Sequence, residues 1–172
     1  MKTIALLKIL INIFFGFFLL LLAYNIWEGL IFMIQSPEEM SNFWMLEAYG
    51  QTESSVRLVQ LHLLFETIPY IPFALGILFA RNIVAAFVRK EFFSVTVTRN
   101  FRNAGILFLV ASVLMIVQHM IGMAILGRPT VNLIIGHHFS YAFLIIIGLL
   151  FIFFGHVFSR ARELEQENEL TI

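Results

Sequence analysis

The residues in this chain that could do chemistry are few, and most stand where a charge is costly. Five histidines (His62, His119, His137, His138 and His156) and two glutamates, Glu28 and Glu66, fall within or beside long apolar runs. An ionisable group in such a run is expensive to hold, which makes each one a functional candidate by default. His62 and Glu66 stand four residues apart and so share one helix face. If the runs are membrane-spanning helices, the helical rise puts Glu66 and His119 about 6–8 Å outward of the bilayer midplane. The same rise puts His62, His137 and His138 about 10–14 Å outward, with Glu28 at a comparable level. His156 lies alone near the opposite surface. His62, Glu66, His119, His137 and His138 together make a donor set suited to a divalent metal, a haem or a proton, held between facing helices. The competing reading is that these groups hydrogen-bond between helices or line a wet vestibule, with no cofactor at all. That second reading is the default expectation here, because no ligand spacing such as H-E-x-x-H occurs. There is neither a Gly-rich phosphate loop nor a nucleophile elbow, so no enzymatic activity is expected. The absence of cysteine excludes disulfides, thiolate nucleophiles and Cys-ligated metal.

Such residues need elements that can hold them in lipid. Of 172 residues 60% are hydrophobic and 13% charged, with a mean hydropathy of +0.90, which rules out a water-soluble fold. Acidic and basic residues balance at 11 each, so there is no polyelectrolyte argument for direct nucleic-acid binding. The expected fold is all-α, a single integral membrane domain over 1–172. Four spanning helices are expected at about 9–34, 58–84, 104–126 and 131–158, followed by a helical tail at 159–172. Helix one is too long an apolar run for a cleaved signal peptide. Pro69 and Pro72 predict a kink in helix two, because they free the carbonyls of Phe65 and Ile68. Phe93, Val97 and Phe101 recur every four residues and predict a short interfacial helix between helices two and three. Gly136 and Ser140 form a small-xxx-small pair suited to close helix packing, and the 20 phenylalanines are read as lipid-facing bulk.

Topology follows from the basic residues at the ends of the spans. Lys2, Lys8, Arg81, Arg89, Lys90, Arg99, Arg102, Arg160 and Arg162 fall on one side, and Arg57 and Arg128 on the other. Nine against two places both termini and the middle loop in the cytoplasm, with the acidic loop at 35–55 outside. The basic cluster is expected to touch anionic lipid.

Two stretches on that basic side carry specific motifs. One is Val88-Arg89-Lys90-Glu91-Phe92-Phe93-Ser94, leading to Arg99-Asn100-Phe101-Arg102-Asn103-Ala104-Gly105. The other is Phe158-Ser159-Arg160-Ala161-Arg162-Glu163-Leu164, with the ending Glu167-Asn168-Glu169-Leu170-Thr171-Ile172. In these the chain resembles a bacterial membrane family catalogued as domain of unknown function 2975. The Gly and Pro usual before that family's middle-loop Phe are replaced here by Lys90 to Phe92. The resemblance implies a four-helix protein of the bacterial cytoplasmic membrane, often encoded beside a small helix-turn-helix regulator, and supplies no catalytic residues. The functional expectation is an accessory or sensory protein whose partner, such a regulator or another membrane protein, meets Phe93, Arg99, Arg102, Glu163, Glu167, Asn168 and Leu170. The alternatives are a metal- or haem-binding redox protein and a small transporter or self-immunity protein, for which a homo-oligomer would multiply the single deep carboxylate.

Overall fold

A computed structural model describes the backbone of residues 2–34, 57, 60–62, 64–126 and 131–169, and the side chains of 3–34, 57, 60–62, 64–122, 124 and 141–168. Four long helices dominate: α1, Lys2–Ile34; α2, Tyr70–Val88; α3, Val95–Leu126; and α4, Val131–Glu169. No strand occurs among the described residues, and each of the four is long and apolar enough to cross a membrane. The acidic loop at 35–55 and the turn Gly127-Arg128-Pro129-Thr130 lie outside the described residues.

Sequence neighbours are spatial neighbours, with α1 on α2, α2 on α3 and α3 on α4. The α3–α4 seam shows why. Its buried α3 positions are Phe101, Ala104, Phe108 and Ala111, and α4 answers with Leu144, Gly148, Phe151, Gly155 and Phe158. The alternating spacing of three and four is that of left-handed helix packing, and large side chains lie against the glycines, Ile152 at Gly105, Leu109 at Gly148 and Phe101 at Gly155. At the crossing, Gly105 and Gly148 meet backbone to backbone. A Cβ on Gly105 would lie 2.6 Å from the Gly148 carbonyl oxygen, and a Cβ on Gly148 would lie 3.0 Å from that of Gly105. Gly76 of α2 gives the same access to the Phe108 ring, which stands 2.5 Å from where its Cβ would be. The Gly136–Ser140 pair falls on side chains outside those described; among the described residues a close backbone approach is made by Gly105 and Gly148.

The phenylalanines divide: Phe14, Phe17, Phe65, Phe143, Phe153 and Phe154 are exposed, as expected of lipid-facing bulk, whereas others form an interior. Phe101 stacks on Phe158 at 5.2 Å and 13°, Phe108 meets Phe151 edge-on at 5.4 Å, and Phe87 contacts Phe92, Phe101 and Phe158. Rings fill this interior because the glycines opposite them leave room for a planar group.

The helix ends differ from expectation in two places. Helix two begins at Tyr70, because the prolines break it instead of kinking it. Around the break the freed Phe65 and Ile68 carbonyls accept short-range bonds from the Ile68 and Ile71 amides at 3.1 and 3.2 Å. The Thr67 hydroxyl donates to the Leu64 carbonyl at 2.9 Å, so the break is satisfied from within. Between helices two and three the expected helical turns are present and run unbroken into α3. Ser94 caps them, its Oγ accepting from the Val97 amide at 3.2 Å. No breaker separates residues 95–103 from 104, so one continuous helix results.

The end of α2 is closed by a left-handed residue. Lys90 has φ 64°, while the Glu91 amide bonds to Ala86 O at 3.0 Å and the Lys90 amide to Phe87 O at 3.1 Å. This is the paired-bond helix stop that glycine normally supplies, so the turn is made although the family's glycine is missing.

α1 is held at both ends by polar contacts. Gln60, 2% exposed, donates to the Phe32 carbonyl at 2.7 Å, in the last turn of α1. Near the other end Arg81 donates to Asn12 Oδ1 and lies over the Phe15 ring at 5.6 Å.

Two outcomes are expected. Gly148→Leu should overpack the crossing and cost about 1–3 kcal/mol, read as a lowered melting temperature in detergent. Gly16→Leu, with nothing within 4 Å of the new Cβ, should not lower it. Lys90→Gly should relieve the left-handed strain and raise stability by about 0.5–1 kcal/mol in the same melt.

Candidate functional site

Two regions gather polar side chains. The first surrounds the proline break. His62 sits against α3, its ring atoms 3.0 Å from where a Cβ on Gly122 would stand, so Gly122 makes room for the imidazole. Glu66 is exposed, and its carboxylate lies in electrostatic range of Tyr70 and Tyr141. Tyr141 in turn meets the His119 ring edge-on at 6.0 Å. The break thus brings His62, Glu66, His119 and the two tyrosines to one end of α2, α3 and α4. Tyr70 and Tyr141 did not stand out in the sequence as site residues. Their signal was there, since Tyr70 follows Glu66 by four and Tyr141 follows His137 by four.

His137 and His138 lie on α4 with side chains outside those described. Among the described residues no three His, Asp or Glu side chains converge as metal ligands. Glu28 turns to its own helix, accepting from the Tyr24 hydroxyl at 2.6 Å, and does not join the cluster. His156 is exposed on α4 toward the other end.

Glu66 lies in the turn that precedes α2, and His119 lies within α3. Tyrosine, histidine and glutamate are residue types that suit the half-wet edge of a bilayer.

The second region is the basic end. Phe93 packs on Phe158 at 6.0 Å, so the middle loop and the base of the tail, the two motif-bearing stretches, are joined. Arg89 clamps Glu91 with two bonds of 3.0 Å, and Arg160 bonds Glu163 at 2.8 Å. Arg99 and Arg102 are exposed on α3 and face away from the α4 seam. Beyond Phe158 the helix continues to Glu169, with Glu163, Leu164, Glu165, Gln166, Glu167 and Asn168 all exposed. Leu170 lies outside the described residues.

Electrostatics at this end is local. Hydrogen bonding from Arg89, then its charge, holds the Glu91 carboxyl below the usual glutamate range. A carboxyl lowered in this way favours the folded loop above its unfolded value, and the contribution fades as pH falls through the folded one. An NMR titration should find the Glu91 midpoint below that of an ordinary glutamate, and Arg89→Gln should move it up.

A family model described as protein of unknown function (DUF2975) matches residues 35–172, a stretch holding α2, α3, α4 and both motif-bearing segments. No curated protein and no solved structure matches the chain.

Proposed function

The chain belongs to that family of proteins of unknown function, and from this premise we propose that it is a non-enzymatic accessory or sensory protein of the bacterial cytoplasmic membrane whose α4 tail engages a cytoplasmic partner. The observation that carries the reading is the tail. A helix that leaves the bundle with Glu163 through Asn168 exposed has no packing role of its own among the described residues. Its glutamates fall on two sides of the helix, 163 with 167 and 165 with 169, so the tail is acidic all round and suits a basic partner, such as the basic surface of a small helix-turn-helix regulator. The nine basic residues on that side support a cytoplasmic tail.

A second reading rests on the outer cluster, where His62, Glu66 and His119 approach one end of the bundle and His137 and His138 share α4 with Tyr141. It makes the protein a holder of a divalent metal or haem. Metal analysis and an absorption spectrum of the detergent-purified protein test it. Bound metal or a Soret band lost in His119→Ala favours this reading, and neither in the wild type counts against it.

For the leading reading, deletion of residues 163–172 should leave membrane insertion intact and abolish co-purification of the partner regulator. Co-purification at the wild-type level would overturn it.

A further inference from the structure

Arg89 is neutralised by Glu91 and Arg160 by Glu163, whereas among the described residues Lys8, Arg81, Lys90, Arg99, Arg102 and Arg162 make no ion pair. Of these, Arg99 and Arg102 stand three residues apart on one helix. Both are exposed, and their position on α3 is informative. The inward positions of this helix are Val97, Phe101, Ala104, Phe108 and Ala111, and the outward ones are Val95, Ile106, Val110, Val113 and Val117, from 42% to 64% exposed. Residues 95, 99, 102, 106, 110, 113 and 117 follow a spacing of three and four and so form a single stripe. Arg99 and Arg102 are thus the polar section of the stripe that, from Ile106 onward, is wholly apolar.

An outward apolar stripe on a spanning helix meets acyl chains, and the residues one or two turns beyond its end meet the headgroups of the same lipids. At three-residue spacing the two guanidinium groups lie on neighbouring turns of one face, with about 5–6 Å between their Cβ atoms. Guanidinium groups bind phosphate through paired hydrogen bonds and are weakly hydrated, which suits a phosphodiester at the edge of hydrocarbon. We infer that Arg99 and Arg102 form a binding site for the headgroup of one anionic phospholipid, whose acyl chains lie along Ile106, Val110 and Val113. Charge complementarity selects this occupant, since a protein partner would have to approach along the surface that Ile106 and Val110 present to lipid. The inference stands whichever leaflet this end of the bundle meets, and it does not depend on the tail's partner.

The test is a lipid titration of the full-length detergent-purified protein by native mass spectrometry, using phosphatidylglycerol, phosphatidylcholine and inorganic phosphate as probes. Wild type should bind phosphatidylglycerol in preference to phosphatidylcholine. Arg99→Gln/Arg102→Gln should weaken phosphatidylglycerol about thirtyfold, two basic residues at their usual strength near an anionic surface, and leave phosphatidylcholine unchanged. Arg160→Gln, whose arginine already has Glu163, should retain wild-type binding. Three results overturn the inference: equal binding of both lipids by wild type, an equal loss in Arg160→Gln, or displacement of phosphatidylglycerol by inorganic phosphate at comparable concentration. A melt of the double variant at the wild-type temperature assigns any loss to the site and not to the fold.

Discussion

The backbone approach of Gly105 and Gly148 sets the terms for most of this molecule. Helices within a bilayer gain little from the hydrophobic effect when they associate, because lipid tails are as apolar as leucine. What remains is van der Waals contact, which grows as backbones come closer. Two glycines facing each other across α3 and α4 allow an approach that no pair of side chains would. Once that crossing is fixed, the rotation of α3 about its axis is fixed too. Phe101 and Phe108 then point into the seam, and Val95, Arg99, Arg102 and Ile106 point out of it. The aromatic interior and the outward arginines are consequences of one helix angle.

The other requirement is that no backbone polar group be stranded in hydrocarbon. Each described interruption of the helices meets it by a different route. At the proline break, amides three residues on replace those that Pro69 and Pro72 lack. At Phe32 a glutamine from the following segment supplies a donor. At the start of α3 it is the Ser94 hydroxyl, and at the end of α2 it is a lysine held left-handed. The first and last of these solutions also have a bearing on function. The proline break turns the chain so that Glu66 and Tyr70 face α4, and the Lys90 turn brings Phe92 and Phe93 back onto Phe87 and Phe158.

Much of this was legible in the sequence because its causes are local. Apolar run length, the prolines and the asymmetry of basic residues each act through one segment at a time, and they identify four helices and an irregularity near Pro69, read as a kink. Less legible were features set by two segments at once. Glycines at 105 and 148 give no sign of each other, being 43 positions apart. Phenylalanine is equally at home against lipid and inside a bundle, so only the partner surface decides that Phe101 and Phe108 are interior. The start of helix two was misjudged for a related reason. Residues 58–69 are apolar enough to continue the span, and the two prolines alone do not decide between a kinked helix and a broken one. Tyr70 and Tyr141 were overlooked because a tyrosine beside a membrane boundary is ordinary, and its relevance comes from the carboxylate on another turn.

The attachment of α1 is of a different kind from the α3–α4 seam. Among the described residues Gly29 lies against Leu64, and α1 otherwise meets the bundle through Ile11, Phe15 and Phe18 on the core, Asn12 to Arg81, and its Phe32 carbonyl to the Gln60 side chain. Leu6, Leu10, Ile13, Phe17, Leu20 and Trp27 remain exposed along it. A helix embedded this lightly needs something other than packing to set its register, and polar groups in lipid supply it, because slipping one turn would strand Arg81 and Asn12 together. The two polar tethers lie about 20 residues apart, near 30 Å along the helix axis. At that separation they fix tilt as well as height, which packing on a smooth apolar face would leave free.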